Sequence, residues 1–241
     1  MCGICGFISS QYEEMDNLIK MNSTLIHRGP DDHGEEIYQL DNRRYVGFAQ
    51  RRLSIMDLSS KGHQPMHSEN KRISVIFNGE IYNFMELKEL MPDYMFRSSS
   101  DTEVIIAAYL KWGINFVNRL NGMFAIAIFD RKDDVVYLIR DRIGKKPLYY
   151  YVKDENNVAF ASELKGINTL VSAAAYAKTT INTIFIENNE TLEQIGAEPQ
   201  TINLFIPLSL INRKYWEFWI LLNTYLLIKI SHIYFLNFII H

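Results

Sequence analysis

The chain has 241 residues, 48% of them hydrophobic, which is core enough for one large domain or one domain with an appendage and excludes a disordered or collagen-like chain. Twenty-five basic residues against 28 acidic ones leave a net charge of −3, so there is no basic field to draw the protein to nucleic acid or anionic lipid. Two cysteines are too few for a disulfide framework, and Met1-Cys2-Gly3-Ile4-Cys5-Gly6 has no basic segment followed by a long apolar run, so no secretory signal and a reducing, cytoplasmic setting are expected.

In chain order, residues 3–9 read as a short buried strand, and Met15, Leu18, Ile19, Asn22, Leu25 and Ile26 follow at helical spacing. The breakers His27-Arg28-Gly29-Pro30-Asp31-Asp32 end that helix in a loop. Residues 35–40 and 45–53 read as strands, and 72–77 as a third that ends at Asn78-Gly79. A short helix is expected over 82–90. A longer one begins at Ser100-Asp101-Thr102-Glu103, with Asp101 as its N-cap, and stops at Gly113. The apolar runs 123–130, 135–140, 147–152 and 158–162 read as an antiparallel meander. Two groups of strands separated by helices favour an α+β fold over a βαβ repeat.

Cys2 directly follows the initiator methionine, and a small residue there permits removal of Met1. Removal would leave a thiol and an α-amine on one residue; an α-amine titrates at about 7.7–8.0, so it can accept the thiol proton near neutrality. Alone, a cysteine at position 2 carries little weight. Cys2-Gly-Ile-Cys5 with His63-Gln-Pro-Met-His67 also has the composition of a zinc site, but 57 residues separate the pairs, far more than the roughly 12–15 of a zinc finger. Cys5 is better read as a core residue, the two histidines as loop residues, and no metal is expected. Arg52, at a strand end, is either a solvated charge or a fork for a carboxylate. Asn78-Gly79 is either a tight turn or an oxyanion hole built from a side-chain amide and a backbone N–H. Asp101 could cap its helix or receive an ammonium group.

Together these segments resemble the class II glutamine amidotransferases, whose nucleophile is the N-terminal residue, and in particular the glutaminase domain of glutamine-hydrolysing asparagine synthetase. The matching motifs are Met1-Cys-Gly-Ile-Cys-Gly-Phe7, His27-Arg-Gly-Pro-Asp31, Arg52-Leu-Ser-Ile-Met-Asp57, Gly62-His-Gln-Pro-Met66, Asn78-Gly-Glu-Ile-Tyr-Asn83, Ser100-Asp-Thr-Glu-Val104, Asn121-Gly-Met-Phe-Ala125, Arg140-Asp-Arg-Ile-Gly-Lys-Lys-Pro-Leu-Tyr149 and Phe160-Ala-Ser-Glu163. They cover residues 1–165. The resemblance implies a four-layer αββα sandwich of two antiparallel sheets. It also implies that Cys2 attacks glutamine, that Asn78 and the Gly79 N–H hold the oxyanion, and that Arg52 takes the substrate carboxylate. Glu80, Asp101 and main-chain groups near Leu53 and Ile55 would take the α-amino end. The glutaminase step would need no cofactor.

After residue 165 the match weakens: segment 183–185, segment 190–192 and Arg213-Lys-Tyr-Trp-Glu-Phe218 resemble the family's domain end, whereas Ala173-Ala-Ala-Tyr-Ala177 and Gln194-Ile-Gly196 do not. The expected glutaminase domain therefore spans 1–218. The family continues into a synthetase domain that uses ATP and Mg, with a Ser-Gly-Gly loop; here no Gly-Gly pair occurs and the last glycine is Gly196. The expectation is that ammonia passes to a separate synthetase chain, or that the chain is a truncated product; the alternative is an inactive remnant or a glutamine-binding module. Residues 219–241 hold 16 apolar side chains in 23, yet Lys229 and polar Asn223, Ser231, His232 and Asn237 interrupt them. They read first as a degenerate tail and second as a membrane contact.

Overall fold

The computed structural model describes residues 1–10, 15–40, 44–54, 59–154, 157–170 and 202–207. Ile55, the expected domain end at Phe218 and the apolar tail lie outside these residues. The chain separates into units Met1–Ile206 and Pro207–His241; the fold below belongs to the first, and of the second only Pro207 is described.

The strands are β1 (Gly3–Ser9), β2 (Asp32–Gln39), β3 (Tyr45–Arg52), β4 (Met66–His67), β5 (Ile73–Ile81), β6 (Gly122–Asp130), β7 (Val135–Arg140), β8 (Tyr149–Asp154), β9 (Asn157–Ala161) and β10 (Ile202–Pro207). The helices are α1 (Met15–Ser23), α2 (Phe84–Glu89), α3 (Asp101–Trp112) and α4 (Leu164–Asn168). One sheet has the order β2-β3-β1-β9-β8, the other β10-β7-β6-β5-β4. The outer face of the first sheet packs Cys5, Phe7, Ala49, Ala159 and Ala161 against Leu18 and Met21 of α1, Leu25 just after it, and Ile167 of α4. The second covers Val104, Ile105 and Ala108 of α3 with Ile73, Val75, Phe77, Ile81 and Ile126. Period-2 alternation then turns the even residues of β1, β3 and β5 towards the layer between the sheets. Tyr38 of β2 meets Phe129 of β6 across that layer, ring centroids 5.3 Å apart. The expected αββα arrangement is the one observed.

Glycines set the spacing within the first sheet. A Cβ on Gly6 would lie 2.5 Å from the Phe160 ring and one on Gly47 2.5 Å from Phe7, so each aromatic lies over a strand glycine. Phe7 and Phe160 are fully buried, and truncating such a side chain to alanine costs about 3–5 kcal/mol.

Three expectations are corrected. The late strands do not form one meander: β6 pairs with β7 in one sheet, while β9 joins β8 and β1 in the other. An apolar run marks a strand but does not specify its partner, and here the N-terminal strand claims β9. Next, β5 does not end at Asn78-Gly79; both lie inside the ladder, opposite Ala125 and Phe124. Last, the cap of α3 is Ser100, whose extended backbone (φ −71°, ψ 141°) lets Oγ accept from Thr102 N at 3.1 Å. Asp101 is thereby the first helical residue, with its carboxylate free to leave the helix.

Candidate active site

Arg52 ends β3 with its side chain buried, and residues of two segments, 29–32 and 59–63, surround it. Gly62 lies directly under it: a Cβ there would come within 2.1 Å of Nη2. Arg52 Nη1 donates to the Ser59 carbonyl at 3.3 Å and stands 3.9 Å from Asp32, its register partner on β2. Asp32 also accepts from His63 Nδ1 at 3.0 Å. Gly29 packs on the backbone of Arg51 and Arg52, where a Cβ would lie 2.4 Å from Arg52 N, and Asp31 takes the Ser54 N–H at 2.8 Å. The His-Arg-Gly-Pro-Asp and Gly-His-Gln-Pro motifs thus converge on one guanidinium.

Cys2 precedes β1 on the neighbouring strand. Its thiol donates weakly to the Leu53 carbonyl at 3.8 Å, and its own carbonyl accepts from Arg28 Nε at 2.9 Å. Met1 is exposed. Cys5, by contrast, is fully buried on the outer face, where burial, with Glu35 nearby, pushes its thiol far above the ordinary range. It belongs to the core, as expected from sequence. His67 is held by Glu36 and Ser74, and His63 by Asp32. Among the described residues no three His, Cys, Asp or Glu side chains gather as metal ligands.

The second sheet supplies the opposite wall. Asn78 is 1% exposed, and both its side-chain Oδ1 and Nδ2 lack a hydrogen-bond partner among the described residues. Buried amides are nearly always paired, so such a group marks either strain or a place left for a ligand. Gly79 completes it by ladder geometry. Tyr82 N bonds to Asn121 O, and Phe124 directs its N–H and C=O to Asp141, so the odd residues of β5 turn their amides away from β6. On that side Gln64 Oε1 accepts from Phe77 N at 2.7 Å and Asp101 Oδ2 from Ile81 N at 3.0 Å. The Gly79 N–H points between these two acceptors, where β4 no longer runs.

Asp101 is 6% exposed, and neither it nor Glu80 has an ion-pair partner among the described residues. Burial foremost raises its carboxyl above the usual range and nearby Glu80 adds to this, while the Ile81, Asp101 and Thr102 amides offset part of it. Such a pair is chemically suited to an ammonium group, whose charge would offset the repulsion between the carboxylates.

Residues 62–64 join the two walls, a role not legible in the sequence. Gly62 supports Arg52, Gly34 of β2 packs against the Gln64 carbonyl, and the Gln64 side chain reaches both Phe77 N and Thr102 Oγ1. Sequence reading also missed Gln50. It is fully buried, two residues from Arg52 on the same face, and both its amide atoms are unpartnered among the described residues. Its only sequence signal is a polar residue among the apolar positions of β3.

The sequence over residues 1–207 matches the glutamine amidotransferase domain family. The chain belongs to that family. Over 182 residues it is 43% identical to a putative glutamine-hydrolysing asparagine synthetase of Methanocaldococcus jannaschii, covering 69% of this chain and 35% of the relative. Over 172 residues it is 45% identical to asparagine synthetase 2 of Bacillus subtilis, covering 69% of this chain and 22% of that one. The chain therefore spans about a third or less of the length of these relatives and is homologous to their N-terminal part. Among solved structures, the glutamine phosphoribosylpyrophosphate amidotransferase of B. subtilis superposes with a TM-score of 0.58 at 20% identity, over 70% of this chain and 43% of that one, which bears on the fold alone. The fold thus places Cys2, Arg52 and Leu53 at the ends of β1 and β3 of one sheet and Asn78, Gly79 and Glu80 on β5 of the other, with Asp101 opening α3 beside β5. No helix among the described residues is long and apolar enough to cross a membrane.

Proposed function

We propose that the domain hydrolyses glutamine to glutamate and ammonia, with Cys2 as nucleophile once Met1 is removed. The observation that carries this reading is the buried, unpartnered Asn78 amide beside Gly79. The Cys2 thiol passes its proton to its own α-amine and attacks the amide carbon. The carbonyl oxygen becomes an oxyanion, which the Asn78 Nδ2 and Gly79 N–H groups hold. Collapse expels ammonia, protonated by the amine, and leaves a thioester. Water, deprotonated by the same amine, adds through a second oxyanion and releases glutamate. The Arg52 guanidinium takes the substrate carboxylate, while Asp101, Glu80 and main-chain groups near Leu53 and Ile55 take its ammonium group.

Every group in this step comes from the chain, so it requires neither metal nor cofactor. ATP and Mg would act only in a synthetase domain that uses the ammonia, on this chain's continuation or on a separate one. Both cysteines are free thiols, which supports a reducing cytoplasmic setting for a thiol nucleophile. The test is ammonia and glutamate release by purified protein whose Met1 removal is verified by mass spectrometry. Release in equal amounts is expected; no release from processed, folded protein overturns the reading.

A further inference from the structure

We propose that Glu163 is a positioning residue for Cys2, acting through Arg28; this rests on Cys2 being the nucleophile. The Arg28 guanidinium is a planar bridge between the two. Its Nε donates to the Cys2 carbonyl at 2.9 Å and its Nη1 to Glu163 Oε1 at 2.9 Å. The Arg28 side chain is 9% exposed, so its charge needs a counter-ion, and Glu163 supplies it. Two further donors hold that carboxylate, His27 Nε2 on the same Oε1 at 2.9 Å and Lys165 Nζ on Oε2 at 3.1 Å.

Glu163 is also placed where it could do something else and does not. It occupies the N-cap position of α4, yet its side chain makes no capping hydrogen bond. The carboxylate is committed to Arg28 instead. The preceding residue works on the same strand: Ser162 Oγ accepts from Ile4 N at 2.9 Å and Ser162 N donates to Ile4 O at 2.8 Å. Residues 162 and 163, about 160 positions downstream, thus hold both ends of the Cys2-Gly-Ile segment.

The physical need is specific to an N-terminal nucleophile. With Met1 gone, nothing on the chain restrains Cys2 from its N-terminal side, and its thiol and amine must keep one geometry. A rigid guanidinium on the Cys2 carbonyl restricts rotation at that residue, and a misplacement of about 1 Å at a reacting centre can cost about 10²-fold in rate. Glutamine's own anchors do not include Glu163, so its loss falls on turnover rather than binding.

The experiment uses the full chain with Met1 removed, as wild type, E163A and E163Q, with melting curves for each. E163A is expected to lower kcat for glutamine about 10- to 100-fold with KM within about twofold. E163Q, whose amide oxygen still accepts from Arg28, is expected to recover most of that loss and serves as the deciding variant if E163A does not fold. The second readout needs no glutaminase activity: a broad-specificity aminopeptidase, followed by intact mass, should trim Cys2 from E163A at least about tenfold faster than from wild type, because a free carbonyl lets the terminus fray. Unchanged trimming with unchanged kcat, a loss carried by KM alone, or no recovery in E163Q overturns the proposal. Faster trimming in E163A beside a wild type that turns over no glutamine would uphold the positioning and defeat the glutaminase reading instead.

Discussion

The Cys2 thiol and the Leu53 carbonyl meet at 3.8 Å although 51 residues separate them. Leu53 directly follows Arg52, so the contact places the proposed nucleophile beside the residue proposed to anchor the substrate carboxylate. Replacing Cys2 by alanine should therefore abolish ammonia release while leaving glutamine binding, measured calorimetrically, within a few-fold of wild type. Retained turnover in Cys2→Ala would remove the thiol from the mechanism.

Asn78 separates chemistry from stability. Losing one oxyanion donor costs about 10²–10³ in kcat. Because its amide has no partner among the described residues, Asn78→Ala breaks no internal hydrogen bond and removes a desolvation penalty. The expected result is a kcat lower by that factor and a melting temperature no lower than wild type by more than a degree or two. A large drop in melting temperature would mean that the amide is structural.

Arg52 is positioned by what lies beneath it. A methyl on Gly62 would lie 2.1 Å from Nη2, inside contact distance, so Gly62→Ala must push the guanidinium away. We expect KM for glutamine to rise about tenfold, equivalent to about 1.4 kcal/mol, with kcat changed much less. Arg52→Lys should behave alike, since a point charge cannot reproduce the fork. Steady-state kinetics that showed the loss in kcat alone would place Arg52 elsewhere in the reaction.

The Ser100 hydroxyl caps α3, and Asp101 can reach Ile81 N because it is not the cap. Ser100→Ala should cost about 1 kcal/mol of stability, read in urea melts, and should also raise KM by loosening the Asp101 carboxylate. A stability loss with unchanged KM would separate the cap from the site.

The Glu163 carboxyl gives a pH signature. Burial alone would raise it, but hydrogen bonds from Arg28, His27 and Lys165 outweigh burial and hold it at about 2, against an ordinary 4.5. The unfolded chain therefore binds the extra proton between those values, and stability rises with pH across that window. The wild-type advantage over E163Q should be fully present above about pH 4.5 and vanish as pH falls to about 2. A constant difference in melting temperature across the window would show that the carboxylate gains nothing from its partners.

Much of this was legible in the sequence because it depends on local pattern. Short apolar runs mark β1, β3, β6 and β7 close to their observed bounds, Gly113 stops α3 at a positive φ (59°), and the motifs in order name the family and the residues Cys2, Arg52, Asn78, Gly79, Glu80 and Asp101. Ile55 belongs to the same motif but lies outside the described residues. What the sequence could not decide was pairing. The pair β8–β9 joins β1 instead of continuing from β7, Asn78-Gly79 continues a ladder rather than turning a corner, and residues 62–64 tie one sheet to the other. Each of these depends on contacts between residues far apart in the chain, whose energies come from shape and burial in three dimensions rather than from the spacing of neighbours. The same is true of the Gln50 and Asn78 amides: their residue types are plain in the sequence, but only the packed sheets bury them with no hydrogen-bond partner among the described residues.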